Sequence, residues 1–270
     1  MKRATIFLIL LTITSFVNLS AQTPQDSLTI VKTKWQKEKA AKGVQTLHAS
    51  FPSLYNAPQD IYIVDIKLKK HKIDVCTHKG RELTTDHAKA EKAITAVNGT
   101  FFDMEKGPSI CFTARNGHID AKTVNYFTPD GAIEISGKQV ELIPWSKDQE
   151  NTYDVQGKSI MVSSPLLMQD GKSVLKQKNE DPARERHPRT ALVLTKKNHL
   201  LMIVVDGRNK GVASGMTLNE LTYFCRCIGA YDALNLDGGG SSVIWTEKQG
   251  ILNHPSDGRE RTVSNSILVF

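Results

Sequence analysis

Asn235-Leu236-Asp237-Gly238-Gly239-Gly240-Ser241-Ser242 places one carboxylate at the end of an apolar segment (Ala233, Leu234, Leu236), then three glycines, then two hydroxyls. An apolar strand stops there, and glycine frees the backbone to take positive φ and to bring N–H groups close to a ligand. Three glycines alone also fit a hairpin or bulge. With Asp on one side and Ser-Ser on the other, an anion- or sugar-binding loop is favoured. It is neither a Walker loop, because no Gly-Lys-Ser/Thr follows, nor the spaced dinucleotide fingerprint.

The same grammar occurs twice more. Ala96-Val97-Asn98-Gly99-Thr100-Phe101-Phe102-Asp103 ends an apolar strand in Asn-Gly, and Val204-Val205-Asp206-Gly207-Arg208 ends one in an acid, a glycine and a cation. Taken alone, Asn98-Gly99 is a turn and the two phenylalanines are core. Three strands that end in Asn98, Asp206 and Asp237, each followed by glycine, predict one crevice where side chains gather. Arg189 opens the apolar run Thr190–Leu194; a guanidinium there suits a structural ion pair or bidentate phosphate recognition.

Between these sites the texture is short and strand-rich. Ile61–Leu68 alternates, with Tyr62, Val64, Ile66 and Leu68 on one face, and residues 72–77 read as its neighbour. Thr84 and Thr85 offer caps for a short helix to Lys92, and Ala93–Asn98 reads as a buried strand. Asn116-Gly117 signals a hairpin, Asp130-Gly131 and Asp170-Gly171 repeat the device, and Lys197-Asn198 punctuates another pair. Thr217-Leu218-Asn219-Glu220 has capping-box spacing for a helix through Ile228, stopped by Gly229; capping alone accounts for Glu220. Strands over Ser241–Thr246 and Thr262–Phe270 complete the set. The expected class is α+β: a single strand-rich domain, residues 44–270, with a mixed, mostly antiparallel sheet and a few flanking helices. Residues 22–43 read as an N-terminal extension, with an amphipathic helix over 26–42.

Met1-Lys2-Arg3, an apolar run to Val17 and small residues at Ser20-Ala21 read as a signal peptide over residues 1–21. The expected location is secreted or periplasmic, with no stable membrane anchor after cleavage. The formal charge of +7 clusters in Lys32–Lys42 and Lys172–Arg189, without the aromatic interleaving of a nucleic-acid footprint, so no nucleic-acid partner is expected. Cys76, Cys111, Cys225 and Cys227 match no zinc spacing. They read as buried free thiols, with a Cys76–Cys111 bridge left open. No Gly-x-Ser-x-Gly elbow and no His-Glu-x-x-His occurs.

Together, Asn98–Asp103, Arg189-Thr190-Ala191, Asp206-Gly207-Arg208, Gly215-x-Thr217-x-x-Glu220-Leu221 and Asn235–Ser242 resemble the phosphodiester glycosidase family, with Arg261 and the closing strand similar to the family's end. Thr100 departs from the pattern, standing where a second glycine is usual, and Ser163-Ser164-Pro165-Leu166-Leu167 replaces a more glycine-rich turn. The resemblance implies a hydrolase that releases a sugar from a sugar-1-phosphodiester.

On the residue types, Asp237 is the expected nucleophile or base, Asp206 a second acid, and Glu220 a third catalytic candidate inside a matching motif. Arg189 and Arg208 would clamp phosphate, while Asn98, Gly99 and Asn235 would face the sugar. Gly238, Gly239, Gly240, Ser241 and Ser242 would supply donors to oxygens. A phosphate leaving group reduces the need for a strong general acid. A divalent metal ion held by Asp206 and Asp237 would be an alternative means of charge neutralisation, and the residues leave both routes open. The rival is a non-catalytic glycan- or sugar-phosphate-binding envelope protein on the same fold.

Overall fold

The computed structural model describes residues 23–176 and 185–270. The leader, residues 1–21, and most of the basic loop 176–186 lie outside the described residues.

The strand-rich α+β single domain is as expected; among the described residues its strands form three sheets, all paired antiparallel, with no parallel pair to make a sheet mixed. The first has eight strands in the order β1 (Gln36–Ala41), β2 (Val44–Leu54), β3 (Ala57–Lys67), β14 (His199–Val205), β13 (Arg189–Thr195), β15 (Ala230–Asn235), β11 (Leu166–Gln169) and β12 (Lys172–Ser173). The second runs β7 (His118–Ala121), β6 (Thr113–Arg115), β10 (Lys158–Ser163), β8 (Gly131–Ser136), β9 (Gln139–Pro144). The third runs β17 (Gly250–Ile251), β16 (Ile244–Thr246), β5 (Thr95–Asn98), β18 (Thr262–Val269), β4 (Ile73–Leu83). Among the described residues three α-helices, α1 (Pro24–Lys32), α2 (Thr84–Ala90) and α3 (Leu218–Cys227), flank them. No helix among the described residues is long and apolar enough to cross a membrane.

The period-2 rule sorts the core. Tyr62, Val64, Ile66, Leu192, Met202, Val204 and Leu234 point from the first sheet to a cluster shared with Val75, Val97 and Ile267 of the third and Ile133 and Met161 of the second. Ile61, Ile63, Ala191, Val193, Leu201 and Ile203 point the other way, under Ile30 of α1 and Leu221 and Phe224 of α3. The central strands therefore read as continuous apolar runs, because both faces are covered.

Several expectations hold at residue level. Asn116 (φ 50°) and Gly117 (φ 87°) make the β6–β7 turn, and Asp170 (φ 51°) and Gly171 (φ 76°) the β11–β12 turn, as a hairpin of type I′ requires. Thr217 caps α3 with Glu220 in a reciprocal box, and Gly229 stops it at φ 90°. All four cysteines are free, with Cys76, Cys111 and Cys225 buried, so no Cys76–Cys111 bridge forms.

Others are corrected. The helix expected over 26–42 ends at Lys32, and Gln36–Ala41 is instead a strand paired with β2. That strand is an edge, its first four residues fully exposed; the lysines that blunt an edge also erase the alternation that marks a strand. The strand after β3 does not neighbour it but crosses to the third sheet and pairs with β18. Asp130-Gly131 is no hairpin turn: Gly131 opens β8, while the Asp130 carboxylate accepts the Leu166 N–H at 2.8 Å.

Candidate active site

The three glycine-terminated strands do meet. The Asp237 N–H donates to the Gly99 carbonyl at 3.1 Å and the Leu236 N–H to the Thr190 carbonyl at 2.9 Å. These bonds join the ends of β15 and β5 and the start of β13. Asp206, beyond β14, is linked to the glycine loop by Asn253, whose amide donates to Asp206 Oδ1 and to the Ser242 carbonyl, each at 3.0 Å.

Asn98 is the knot in this corner. Its amide donates to the carbonyls of Asp237 (2.8 Å) and Gly99 (3.3 Å). Its Oδ1 accepts from Thr190 Oγ1 (2.9 Å) and the Val243 N–H (3.1 Å). All its hydrogen-bonding capacity is engaged and it is fully buried, so Asn98 positions the Asp237 backbone instead of facing a sugar. Gly99 is needed beside it, since a Cβ there would collide with the Asn265 carboxamide.

Asp237 sits at the mouth of this corner, half-buried, with its Oδ1 accepting the Gly238 N–H at 2.9 Å. Burial pushes its carboxyl from 3.8 up to about 6, against the opposing pull of the Ser241 hydroxyl, the Gly238 N–H and the Arg261 guanidinium. The triple glycine serves close packing rather than open donors. Gly239 N–H is given to the Pro188 carbonyl at 2.9 Å, and a Cβ on Gly238 would lie 2.7 Å from that same oxygen. A Cβ on Gly239 would lie 3.1 Å from Arg208 Nη2, and one on Gly240 would run into Arg261 and Asp257. Two guanidinium groups thus border the loop from Arg208 and Arg261. Ser241 and Ser242 are not presented to solvent; both hydroxyls are closed off and without a hydrogen bond of good geometry.

The other expected residues separate into two sets. Arg208, exposed and held at φ 60°, stays with the site, its Nη2 3.3 Å from His187 Nδ1. Burial, with help from Arg189 and Arg208, lowers the His187 pKa. Arg189 alternates with Thr190 and so turns toward α3, where its guanidinium donates to the carbonyls of Met216 (2.7 Å) and Glu185 (3.0 Å). Glu220 is buried on that side too, accepting from the Thr217 N–H at 2.9 Å and paired with Arg186; the structure gives it a capping and ion-pair role. Asn235 donates to the carbonyls of Ser164 (2.9 Å) and Leu236 (2.8 Å).

Asp206 differs from Asp237 in receiving strong donors on both carboxylate oxygens. Its Oδ1 takes the Asn253 amide, and its Oδ2 takes the His254 N–H at 2.9 Å with His254 Nδ1 at 3.3 Å. Burial still raises its pKa, while those donors resist. Next to it, the Asp60 carboxylate accepts from Tyr62 Oη (2.9 Å) and Ser50 Oγ (2.7 Å) and lies 2.7 Å from His48 Nε2. The atoms of Asp60, Asp206 and His254 come within 4.8 Å of one another. Among the described residues, this is the set of three near the site whose ligand atoms come together. Donor N–H and O–H groups already fill its carboxylate oxygens. His254, with an exposed ring, Asn253, Asp60 and Tyr62 carry no spacing signal in the sequence and reach the site only through tertiary folding.

The model of a protein family described as phosphodiester glycosidase matches residues 91–270, two thirds of the chain. The chain belongs to the phosphodiester glycosidase family. Asn98, Asp206, Asp237, His254 and Arg261 all fall inside the matched span. The chain is 37% identical over 201 residues, 70% of its length, to the SPbeta prophage-derived uncharacterized protein YomE of Bacillus subtilis, and spans 30% of that relative. Its fold is similar to the catalytic domain of zebrafish N-acetylglucosamine-1-phosphodiester alpha-N-acetylglucosaminidase, auto-inhibited by pro-peptide, with TM-score 0.71, 18% identity and 87% of each chain covered. A hypothetical protein from Synechocystis shares the fold at TM-score 0.66 and 15% identity, over 88% of this chain and 64% of that one.

Proposed function

We propose that this phosphodiester glycosidase family member hydrolyses the anomeric C–O bond of a sugar-1-phosphodiester. The observation that carries the proposal is the position of the Asp237 carboxyl at the junction of three strand ends, beside a glycine loop bordered by Arg208 and Arg261, where burial raises its pKa to about 6 against the pull of its neighbours. In the reaction the C1–O bond breaks and its electron pair leaves with the phosphate. Water supplies the hydroxyl that replaces it at C1, and its other proton passes to Asp237 or to the released phosphate. Ionised Asp237 acts on C1 directly or through that water, and the two routes give retention and inversion of the anomeric centre respectively. The guanidinium groups of Arg208 and Arg261 stabilise the charge that grows on the departing phosphate. Asp206 holds Asn253 and His254 in place and so acts as a positioning residue. With the leader as an export signal, the substrate is an extracytoplasmic phosphate-linked glycan.

The test is turnover of N-acetylglucosamine 1-(methyl phosphate) and a panel of other sugar-1-phosphodiesters in ¹⁸O-labelled water. Label in the released sugar supports the proposal; label in the phosphate means P–O cleavage and overturns it. Asp237→Asn should lower kcat by at least about 10²-fold, the scale of a lost general base. Near-normal turnover in the folded variant removes Asp237 from the mechanism.

A further inference from the structure

A second cluster lies on the third sheet, away from Asp237 and ahead of the span that the family's model matches. His78 and Glu82 belong to β4 and His87 to α2, and one ligand atom from each comes within 4.8 Å of the other two. His78 Nδ1 lies 3.3 Å from Glu82 Oε1, and His87 Nε2 lies 4.0 Å from Glu82 Oε2. The two imidazole rings stack with centroids 5.2 Å apart.

This closeness is not what a strand provides. Residues four apart along a regular strand are separated by about 13 Å. Here β4 leaves its register with β18: Thr77 opposes Asn265, yet Glu82 opposes Val263. The residues between Thr77 and Glu82 bulge out of the ladder and fold Glu82 back against His78. A bulge of this kind re-aims side chains.

His87 supplies the observation that points to a ligand. Its ring is buried, and its Nδ1 lies 2.8 Å from Ser266 Oγ. Ser266 Oγ lies 3.3 Å from Thr84 Oγ1 and, by donating to it, is set to accept from the imidazole. With the ring proton on Nδ1 in that arrangement, Nε2 carries a bare lone pair. That nitrogen is buried and has no hydrogen-bond partner. A metal-ligating imidazole is oriented in this way, with its second nitrogen hydrogen-bonded.

We propose that His78 Nδ1, the Glu82 carboxylate and His87 Nε2 form a zinc site. Two imidazole nitrogens and one carboxylate oxygen suit tetrahedral Zn²⁺, with water in the fourth position. Tetrahedral coordination sets ligand atoms about 3.3 Å apart, a small contraction for Glu82, whose side chain is 43% exposed and free to adjust. His78 passes its own proton to Nε2 on an exposed ring when Nδ1 binds the metal. The ion would pin the β4 bulge to α2 and β18. One residue from Ser266, Asn265 accepts the N–H groups of Gly99 (2.9 Å) and Thr100 (2.7 Å), so the pinned corner backs the Asp237 site.

The experiment titrates tag-free, chelator-stripped full-length protein with Zn²⁺ alone, with bound metal measured by mass spectrometry and Tm recorded in parallel. One equivalent bound at micromolar or tighter affinity, with a rise in Tm, is expected. Substituting Co²⁺ should give the visible absorption of a four-coordinate ion. His78→Ala and Glu82→Gln, both on the exposed edge, should each weaken binding by at least about 10-fold, the loss seen when even an outer-shell partner of a metal is removed. His87→Gln should do the same where it folds. Absence of stoichiometric binding, or equal binding in His78→Ala and Glu82→Gln, overturns the proposal. Neither readout depends on the hydrolase reading.

Discussion

Replacing Asp237 by asparagine should strengthen the fold while abolishing turnover. The carboxyl titrates near 3.8 in an ordinary setting and at about 6 in the folded chain. A gap of about two units at about 1.4 kcal/mol each sets an upper bound of about 3 kcal/mol on the penalty for holding the charge. The residue is only half-buried, and solvent screening of its accessible edge brings the expected value to about 1–3 kcal/mol. The sign follows from proton binding. Between the two values the folded chain holds a proton that the unfolded chain has lost, so wild-type stability falls as pH rises from about 4 to about 6 and is level above. Asparagine is neutral throughout, and its Oδ1 can still accept the Gly238 N–H, 2.9 Å away in the wild type. The variant should therefore match wild type at the acid end and exceed it by the full amount at pH 7. Urea unfolding of both proteins at several pH values reads this directly, with m unchanged. A variant less stable at pH 7, or a difference constant across pH, would refute the claim that desolvation of the Asp237 charge outweighs the pull of its neighbours.

Three further outcomes are expected. With Asp237 required as the anion, kcat/KM on a sugar-1-phosphodiester should rise about tenfold per pH unit up to about 6 and then level; a profile flat from pH 4 to 8 would contradict this. Glu220→Ala should lower stability by about 1–3 kcal/mol, through the lost cap and a half-buried Arg186 guanidinium left without its carboxylate, while kcat of the folded fraction stays within about twofold; a selective collapse of kcat would restore Glu220 to the chemistry. Alkylation in denaturant without reductant should add four adducts, one per cysteine, and a mass showing two fewer would reveal a disulfide.

The strand ends were legible because their chemistry is local. Asn116-Gly117 and Asp170-Gly171 mark hairpin reversals through positive φ, and the Thr217–Glu220 box is complete within four residues. What failed depends on partners distant in sequence. Nothing in Asp206-Gly207-Arg208 shows that Asn253 and His254 will donate to the acid, and nothing in Arg189-Thr190 shows which of two adjacent side chains faces the Asn98 side. Period 2 makes that choice only once the neighbours of β13 are known. The edge strand β1 was lost for the opposite reason, since a strand exposed on both faces carries no hydrophobic period for a sequence to display.

The two carboxylates that look alike in the sequence are set apart by their surroundings. Asp206 is more deeply buried, yet the Asn253 amide and the His254 N–H donate to its two oxygens, so much of its desolvation is offset and its work is to hold those donors. Asp237 receives the pull of the Ser241 hydroxyl, one backbone N–H on Oδ1 and the longer-range pull of Arg261, together too little to offset desolvation. A fold that sought only stability would not leave a carboxyl in that position, where asparagine makes the same hydrogen bond without the charge. The cost is sensible if the charge is needed there. An anion kept poorly solvated at the mouth of the corner gains most when positive charge develops near it, as it does at C1 when the phosphate departs. Asn98 keeps that anion from relaxing away. It ties the Asp237 carbonyl, Thr190 and the Val243 N–H into one buried knot, so the strain at Asp237 is carried by three strands rather than relieved by a shift of one loop.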